Sequence, residues 1–400
     1  MARRVLAINR VGFLGGAERI MLNCALSVRE HNFSTVVACP VPGALAEEAA
    51  REGIAVVPAR IDRSKASVSP REWLRLCGAL RVGGRDILEI AERNAIGVLH
   101  AHHPIGALYA LKAARRLRLP LILHVHETLP SPPLYGWVAR WVMRHCALFI
   151  CVSEAGCALM RWLGAPEERI RLIYNSVDSR FLASPQPAAA LDRERIGPGP
   201  HIGLFGVLEP RKGQEDFIRA AAAIKDRYPR AQFWVVGGLS FAENAAYLER
   251  LQRLVEQSGL AGRVHFPGHC RDVPQWMAGM DMVVLASRAR ESLPTVLIEA
   301  AVLGKRLVAT AVGGVREIVR DGQTGAVVAP GDASALAAAM DRMLEPAGGV
   351  MAERAGRDAR RRFAPARFGE QMCEVYGTLL DGGRMREGTS LAPMPAGWAA

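Results

Sequence analysis

The chain reads as an α/β protein with two doubly wound parallel sheets in series. Three observations predict this. Short apolar runs alternate with amphipathic stretches of helical length. The apolar runs lack polar–apolar alternation, as suits strands covered on both faces. After a Pro-rich interruption the same pattern begins again.

In the first half, residues 5–9, 34–39, 55–58, 98–100, 121–125 and 148–152 are predicted strands. The segments 17–30, 45–52, 71–93 and 106–118 carry helical periodicity between them. Pro185, Pro187, Pro198 and Pro200 surround an Ala run and mark a connector over 186–200. Strand candidates then resume at 202–207, 232–236, 264–266, 282–285, 306–309 and 326–328. Helix candidates there are 216–228, 242–258, 297–302 and 333–344. The expected domains are 1–185 and 201–364. Phe368, Met372, Val375, Tyr376 and Leu379 fall at helical spacing and predict a closing helix over 365–380; it is expected to pack back near the first domain. The Gly/Pro/Ala-rich tail 381–400 is expected to be mobile. Ligands of open α/β sheets bind beyond the carboxyl ends of the strands, so the expected site is the cleft between the two domains.

Composition excludes several classes. Half of the 400 residues are hydrophobic and 22% are charged, which is ordinary for a folded globular chain. The charge is not ordinary: 51 Lys+Arg face 39 Asp+Glu, a net +12. Residues 1–190 hold 24 of the basic and 15 of the acidic groups, so most of the excess lies in the first half. Such an excess fits nucleic acid, an anionic membrane surface or phosphorylated ligands. No recognisable module interleaves the basic residues with aromatics, so nucleic acid is not an expected partner. The eight cysteines form no C-x-x-C and no zinc-like spacing with histidine. They are expected to be buried free thiols, with no metal site, in a reducing compartment. No signal peptide opens the chain, and the most apolar stretch, 137–152, is interrupted by Arg140, Arg144 and His145. The expected location is cytoplasmic.

Three segments carry chemistry. GFLGGAER, from Gly12 to Arg19, follows the first strand and opens a helix. Gly15 and Gly16 let a ligand approach the backbone, and a helix N-terminus offers N–H groups to an anion. FGVLEPRKG, from Phe205 to Gly213, occupies the same place in the second half and brings Arg211 and Lys212 to a helix start, where a diphosphate fits. ESLPTVLIE places Glu291 on a loop and Glu299 in the helix after it. The turn between them presents backbone N–H groups to a phosphate, Glu299 can accept from ribose hydroxyls, and Glu291 can reach a sugar.

With GGAER at 15–19, HVHE at 124–127, CVSE at 151–154, RLIYNSVD at 171–178, RKG at 211–213, RVHFPGHCRDVPQWMAGMDMVVLAS at 263–287, the double-Glu segment and VGGVREIVRDGQTGAVV at 312–328, the chain resembles the family 4 retaining glycosyltransferases. The resemblance spans roughly residues 4–380. It implies the GT-B fold, two Rossmann-like doubly wound domains facing each other across a cleft. It implies transfer of a sugar from a UDP- or GDP-linked donor to an acceptor hydroxyl, in bacterial cell-surface glycan or glycolipid synthesis. The acceptor would be a glycan or a lipid-linked molecule, and no cofactor or metal is implied.

The resemblance also assigns roles. Gly15, Gly16 and Gly206 would lie beside the donor. His126 would contact the donor sugar, with His124 a secondary candidate expected on the other strand face. Lys212 would bind donor phosphate, Glu291 would sit near the sugar and Glu299 on the ribose. Ser292, Leu293, Pro294, Thr295 and Val296 would contact the pyrophosphate and nucleoside. Glu154 and residues 174–178 would build the cleft floor and hinge, and Gly314 and Glu317 a loop near the donor. One departure stands out: relatives often carry Gly-Arg-Leu ahead of the lysine, where this chain has Gly206-Val207-Leu208. Arg211 beside Lys212 is the expected substitute. The missing arginine favours one alternative, a non-catalytic nucleotide-sugar-binding subunit; a nucleotide-sugar 2-epimerase is the other. Lys112, Arg115 and Arg116 on one helix, and Trp137 and Trp141 with Arg140 and Arg144 on another, point to peripheral contact with an anionic membrane at the cytoplasmic face of the inner membrane.

Overall fold

The structure is a computed structural model. It describes residues 3–61, 70–126, 139–188, 191, 197–239, 245–289 and 291–382. Trp137, Glu127, part of the connector and nearly all of the expected tail lie outside these residues.

Seven parallel strands form the first sheet: β1 (Arg4–Ile8), β2 (Ser34–Cys39), β3 (Ala55–Pro58), β4 (Val98–Ala101), β5 (Leu121–Val125), β6 (Leu148–Cys151) and β7 (Ile170–Leu172). Their order is β3-β2-β1-β4-β5-β6-β7. The second sheet holds β8 (His201–Phe205), β9 (Gln232–Val236), β10 (Val264–Gly268), β11 (Met282–Leu285), β12 (Arg306–Thr310) and β13 (Ala326–Val328), in the order β10-β9-β8-β11-β12-β13. The central strands β4, β5, β6, β8 and β11 are buried along their whole length. Apolar runs without alternation therefore became strands with helices on both faces. In each sheet the strand order reverses once, between β1 and β4 and between β8 and β11. These switch points open crevices at the carboxyl ends.

Several elements were not in the sequence expectation, among them helix Glu154–Trp162, a short strand and a long polar helix. Strand β7 is only three residues long and carries Arg171 at its centre, too little for an apolar run. Helix Pro346–Arg362 is polar on average, and its buried positions are Gly348, Ala352, Ala355, Gly356 and Ala359. It packs through small residues: a Cβ on Gly348 would stand 2.0 Å from the Met343 carbonyl oxygen. Backbones approach too closely there for the large side chains that reveal a helix face in a sequence.

Helix Pro365–Leu380 lies on the first domain although it follows the second in sequence. Phe368, Met372, Val375 and Tyr376 are buried with Val5, Ile20, Cys24 and Val28. Of the cysteines, 24, 39, 146, 151 and 157 are buried and Cys77 is exposed; all eight are free thiols. No described helix is long and apolar enough to cross a membrane.

Candidate active site

The second-domain half of the site is built on the β8 and β11 ends. β8 ends at Phe205, and Gly206 follows with φ +152°, a conformation that disfavours any side chain. The backbone then turns through a single 3-10 turn, Pro210–Lys212, closed by Gly213 at φ +69°. A Cβ on Gly213 would stand 1.9 Å from the Ala286 carbonyl oxygen, so only glycine lets this turn press against the β11 exit. That contact brings the two loops together. Lys212 Nζ donates to Glu291 Oε1 at 2.5 Å, and Ser287 Oγ donates to the same oxygen at 2.7 Å. Ser287 is itself fixed by Thr310, whose Oγ1 donates to its carbonyl oxygen. An Arg211 guanidinium nitrogen lies 3.8 Å from Glu291, while its Nε donates to Glu209 at 2.6 Å. Glu209 thus holds Arg211 near Glu291, the carboxylate that also binds Lys212.

The 291–296 turn is clamped from behind. Gly313 has φ +52°, and a Cβ there would fall 1.5 Å from the Glu291 carbonyl oxygen. Gly314 N–H donates to the Ser292 carbonyl at 2.9 Å. Leu293 is buried, and helix Thr295–Val302 begins directly after Pro294. The first turn of a helix leaves its N–H groups without intrahelical partners, so Thr295 and Val296 present a partial positive charge at this end. Glu299 follows one turn later. Burial pushes its carboxyl up to about 7, against the pull of a hydrogen bond to Thr295 and, more weakly, of Arg180 and Arg19.

The facing half comes from the β1, β4 and β5 ends. Gly15 caps helix Gly16–Arg29, and its N–H donates to Glu18 Oε2 at 3.1 Å, while Asn9 Nδ2 donates to Oε1 at 3.0 Å. The Gly15 amide is therefore engaged by the Glu18 carboxylate at the helix start, one half of a capping box. A Cβ on Gly16 would meet nothing within 4 Å, so that position is open. Arg19 is held by Glu48 and Glu52 at 2.8 Å each and lies 3.6 Å from Asp178. These pairings hold Glu18 and Arg19 in the first turn of helix Gly16–Arg29.

His126 follows β5, and its carbonyl accepts a hydrogen bond from Ser292 Oγ of the other domain. The two halves of the expected site are thus joined directly. A second bridge lies beside it. The Glu317 carboxylate accepts from the Glu154 N–H at 3.0 and 3.2 Å, at the start of helix Glu154–Trp162, whose cap is Ser153. Burial raises the Glu317 carboxyl, and the amide donors oppose that rise.

His124 is not on the far face, as had been expected. Positions two apart on a strand share a face, and the His124 and His126 rings stack at 4.4 Å. They join His100 of β4 and His102 just after it. His102 Nδ1 lies 3.3 Å from His126 Nε2, and His100 Nδ1 lies 2.7 Å from Tyr376 Oη. Desolvation lowers His100 to about 3 and holds His102 and His124 well below the ordinary histidine value, so all three are neutral. The sequence carried a signal for this cluster, H-x-H repeated at 100–102 and 124–126. Only the pairing of β4 with β5 brings the two copies side by side. A cavity of about 190 Å³ opens against His102, His124 and His126, lined also by Asn9, Phe13, Ala17 and Met160.

Two family models match in tandem. Residues 14–181 match Glycosyltransferase Family 4, and residues 199–346 match Glycosyl transferases group 1. The chain belongs to the group 1, family 4 glycosyltransferases. This glycosyltransferase is 28% identical to the lipopolysaccharide core biosynthesis mannosyltransferase LpcC of Rhizobium leguminosarum bv. viciae over 326 residues, 78% of this chain and 85% of that one. It is 29% identical to the alpha-D-kanosaminyltransferase of Streptomyces kanamyceticus over 308 residues, 71% of this chain and 78% of that one. Anabaena HepE, solved in complex with UDP-glucose, superposes with a TM-score of 0.81 at 25% identity, over 94% of this chain and 99% of that one. The two facing parallel sheets of the enzyme are the GT-B fold.

Proposed function

We propose that this glycosyltransferase moves a sugar, with retained anomeric configuration, from a UDP- or GDP-linked donor to a hydroxyl of a glycan or lipid-linked acceptor in cell-surface glycan synthesis. The observation that carries the reading is the pairing of Lys212 with Glu291 at the start of helix Thr295–Val302, joined through Ser292 to His126 across the cleft. The HepE complex with UDP-glucose supports a nucleotide-sugar donor, and LpcC supports a surface glycan.

As the bond from sugar C1 to phosphate oxygen breaks, negative charge grows on the leaving diphosphate. Lys212, Arg211 and the N–H groups of Thr295 and Val296 stabilise that charge, and their weight falls on the transition state. The acceptor oxygen bonds to C1 on the face the phosphate leaves, and its proton passes to the leaving phosphate oxygen. Glu291 orients Lys212 in the empty site and meets the sugar in the filled one. Glu299 receives the ribose hydroxyls, and His126 lies against the sugar. Two protein cations at the diphosphate take the place of a divalent ion, so added Mg²⁺ or Mn²⁺ leaves turnover unchanged.

The acceptor side supports a membrane contact. Trp141 is exposed with the Arg115 guanidinium 5.8 Å from its ring centre, and exposed Trp162 has Arg140 at 5.6 Å. Basic–aromatic pairs of this kind suit a headgroup layer. Sedimentation with anionic and neutral liposomes tests the contact; equal, negligible binding to both removes it. The donor is tested by thermal shift against UDP- and GDP-sugars, since a bound ligand raises Tm. Incubating the stabilising donor alone separates transfer from epimerisation: an epimer formed without acceptor overturns the reading.

A further inference from the structure

We propose that His100, His102 and His124 form a site for a divalent transition metal of the Zn²⁺ class, buried in the first domain. The three residues project from adjacent strands β4 and β5, or from the residue just after β4, and are at most 5% exposed. One ring nitrogen from each can be chosen so that all three lie within 4.8 Å of one another. Four of their ring nitrogens are buried without a hydrogen-bond partner: Nε2 of His100, Nε2 of His102 and both nitrogens of His124. Leaving a buried polar atom unpaired is costly, and a single ion would take one such nitrogen from each of the three residues.

The opposite nitrogens identify the kind of occupant. His100 Nδ1 is held by Tyr376 Oη, and His102 Nδ1 faces His126 Nε2. A metal-binding histidine characteristically has its second ring nitrogen held in this way, which fixes the ring and leaves the other nitrogen for the ion. Buried neutral imidazoles without a carboxylate in the donor set select borderline ions such as Zn²⁺, Co²⁺ or Ni²⁺ over Mg²⁺ or Ca²⁺. Zn–N bonds are about 2.0–2.1 Å, so binding draws the nitrogens together and turns the stacked rings of His100 and His124. The broad torsion of the imidazole ring permits this. The adjacent cavity, lined by His102 and His124, leaves room for a fourth ligand and a way in.

The full chain, without an affinity tag, is stripped with a chelator and titrated with Co²⁺ and, separately, Zn²⁺. Visible d–d absorption reports tetrahedral Co²⁺, and elemental analysis after gel filtration reports retained Zn²⁺. About one ion per chain and a higher Tm are expected. His124→Gln is expected to retain less than a tenth of the metal, with circular dichroism confirming its fold. Tyr376→Phe keeps all three ligands and removes only the support of His100; its affinity is expected to fall about 10-fold or more. A wild-type chain without d–d absorption overturns the site. So does metal retention equal to wild type in both variants, which would put the ion on surface histidines.

Discussion

Lys212 and Glu291 sit 79 positions apart in the chain and 2.5 Å apart in the fold, at the carboxyl edge of the second sheet. The pair is only partly buried, and Ser287 shares the same carboxylate oxygen. Such a pair holds a cation ready for a diphosphate. Lys212→Ala and Glu291→Gln are each expected to lower kcat by about 10²–10³-fold, the scale of losing one transition-state charge contact. Circular dichroism and Tm should show a folded chain in both. Turnover near wild type in either variant would remove that residue from the site.

Glu299 makes stability depend on pH with a definite sign. Its folded-state value, about 7, lies above the ordinary 4.5. The folded chain therefore holds this proton more tightly than the unfolded chain does. Stability is fully present below about 4.5 and declines as pH rises through about 7. Denaturant unfolding of wild type and Glu299→Gln at several pH values isolates the effect. The variant should lose less stability than wild type across that interval, and parallel curves would contradict the assignment.

Gly313 and Gly16 should respond oppositely to alanine. Gly313→Ala forces a Cβ into the Glu291 carbonyl from a left-handed backbone, which displaces the loop carrying the carboxylate. A loss of about 3 kcal/mol or more and a large fall in activity are expected. Gly16→Ala enters open space inside a helix and should be neutral or raise stability by about 0.5–1 kcal/mol. Chemical denaturation of the two variants side by side checks the contrast.

Glu317 caps a helix of the other domain. Glu317→Ala removes the acceptor of the Glu154 amide and is expected to cost about 1–3 kcal/mol. Because the bond spans the domains, the variant should also loosen their relative positions. Hydrogen exchange at the start of helix Glu154–Trp162 should speed up, and unchanged protection there would show that the bridge contributes nothing.

Much of the architecture was legible from local pattern. Apolar runs such as 121–125 and 282–285 show their burial in the sequence because both faces are covered. Helix Pro346–Arg362 was hidden because Ala and Gly form its buried face. Strand β7 was hidden because three residues around an arginine carry no period. In the site, Lys212, Glu291 and the 292–296 turn could be named from their loop and helix setting. The engagement of the Gly15 amide by Glu18 could not, since it depends on where a side chain three residues away folds back.

The sequence by itself determined two parallel-sheet domains and the segments from which a donor site could be made. Both follow from information within a dozen residues of each position. Tertiary structure alone decided which segments meet. Sheet order set β4 beside β5 and so gathered His100, His102 and His124. The return of the final helix to the first domain put Tyr376 against His100. Domain packing joined Ser292 to His126 across 166 positions. Such contacts depend on the closure of long loops against the whole core, and that closure leaves no periodic trace in the chain.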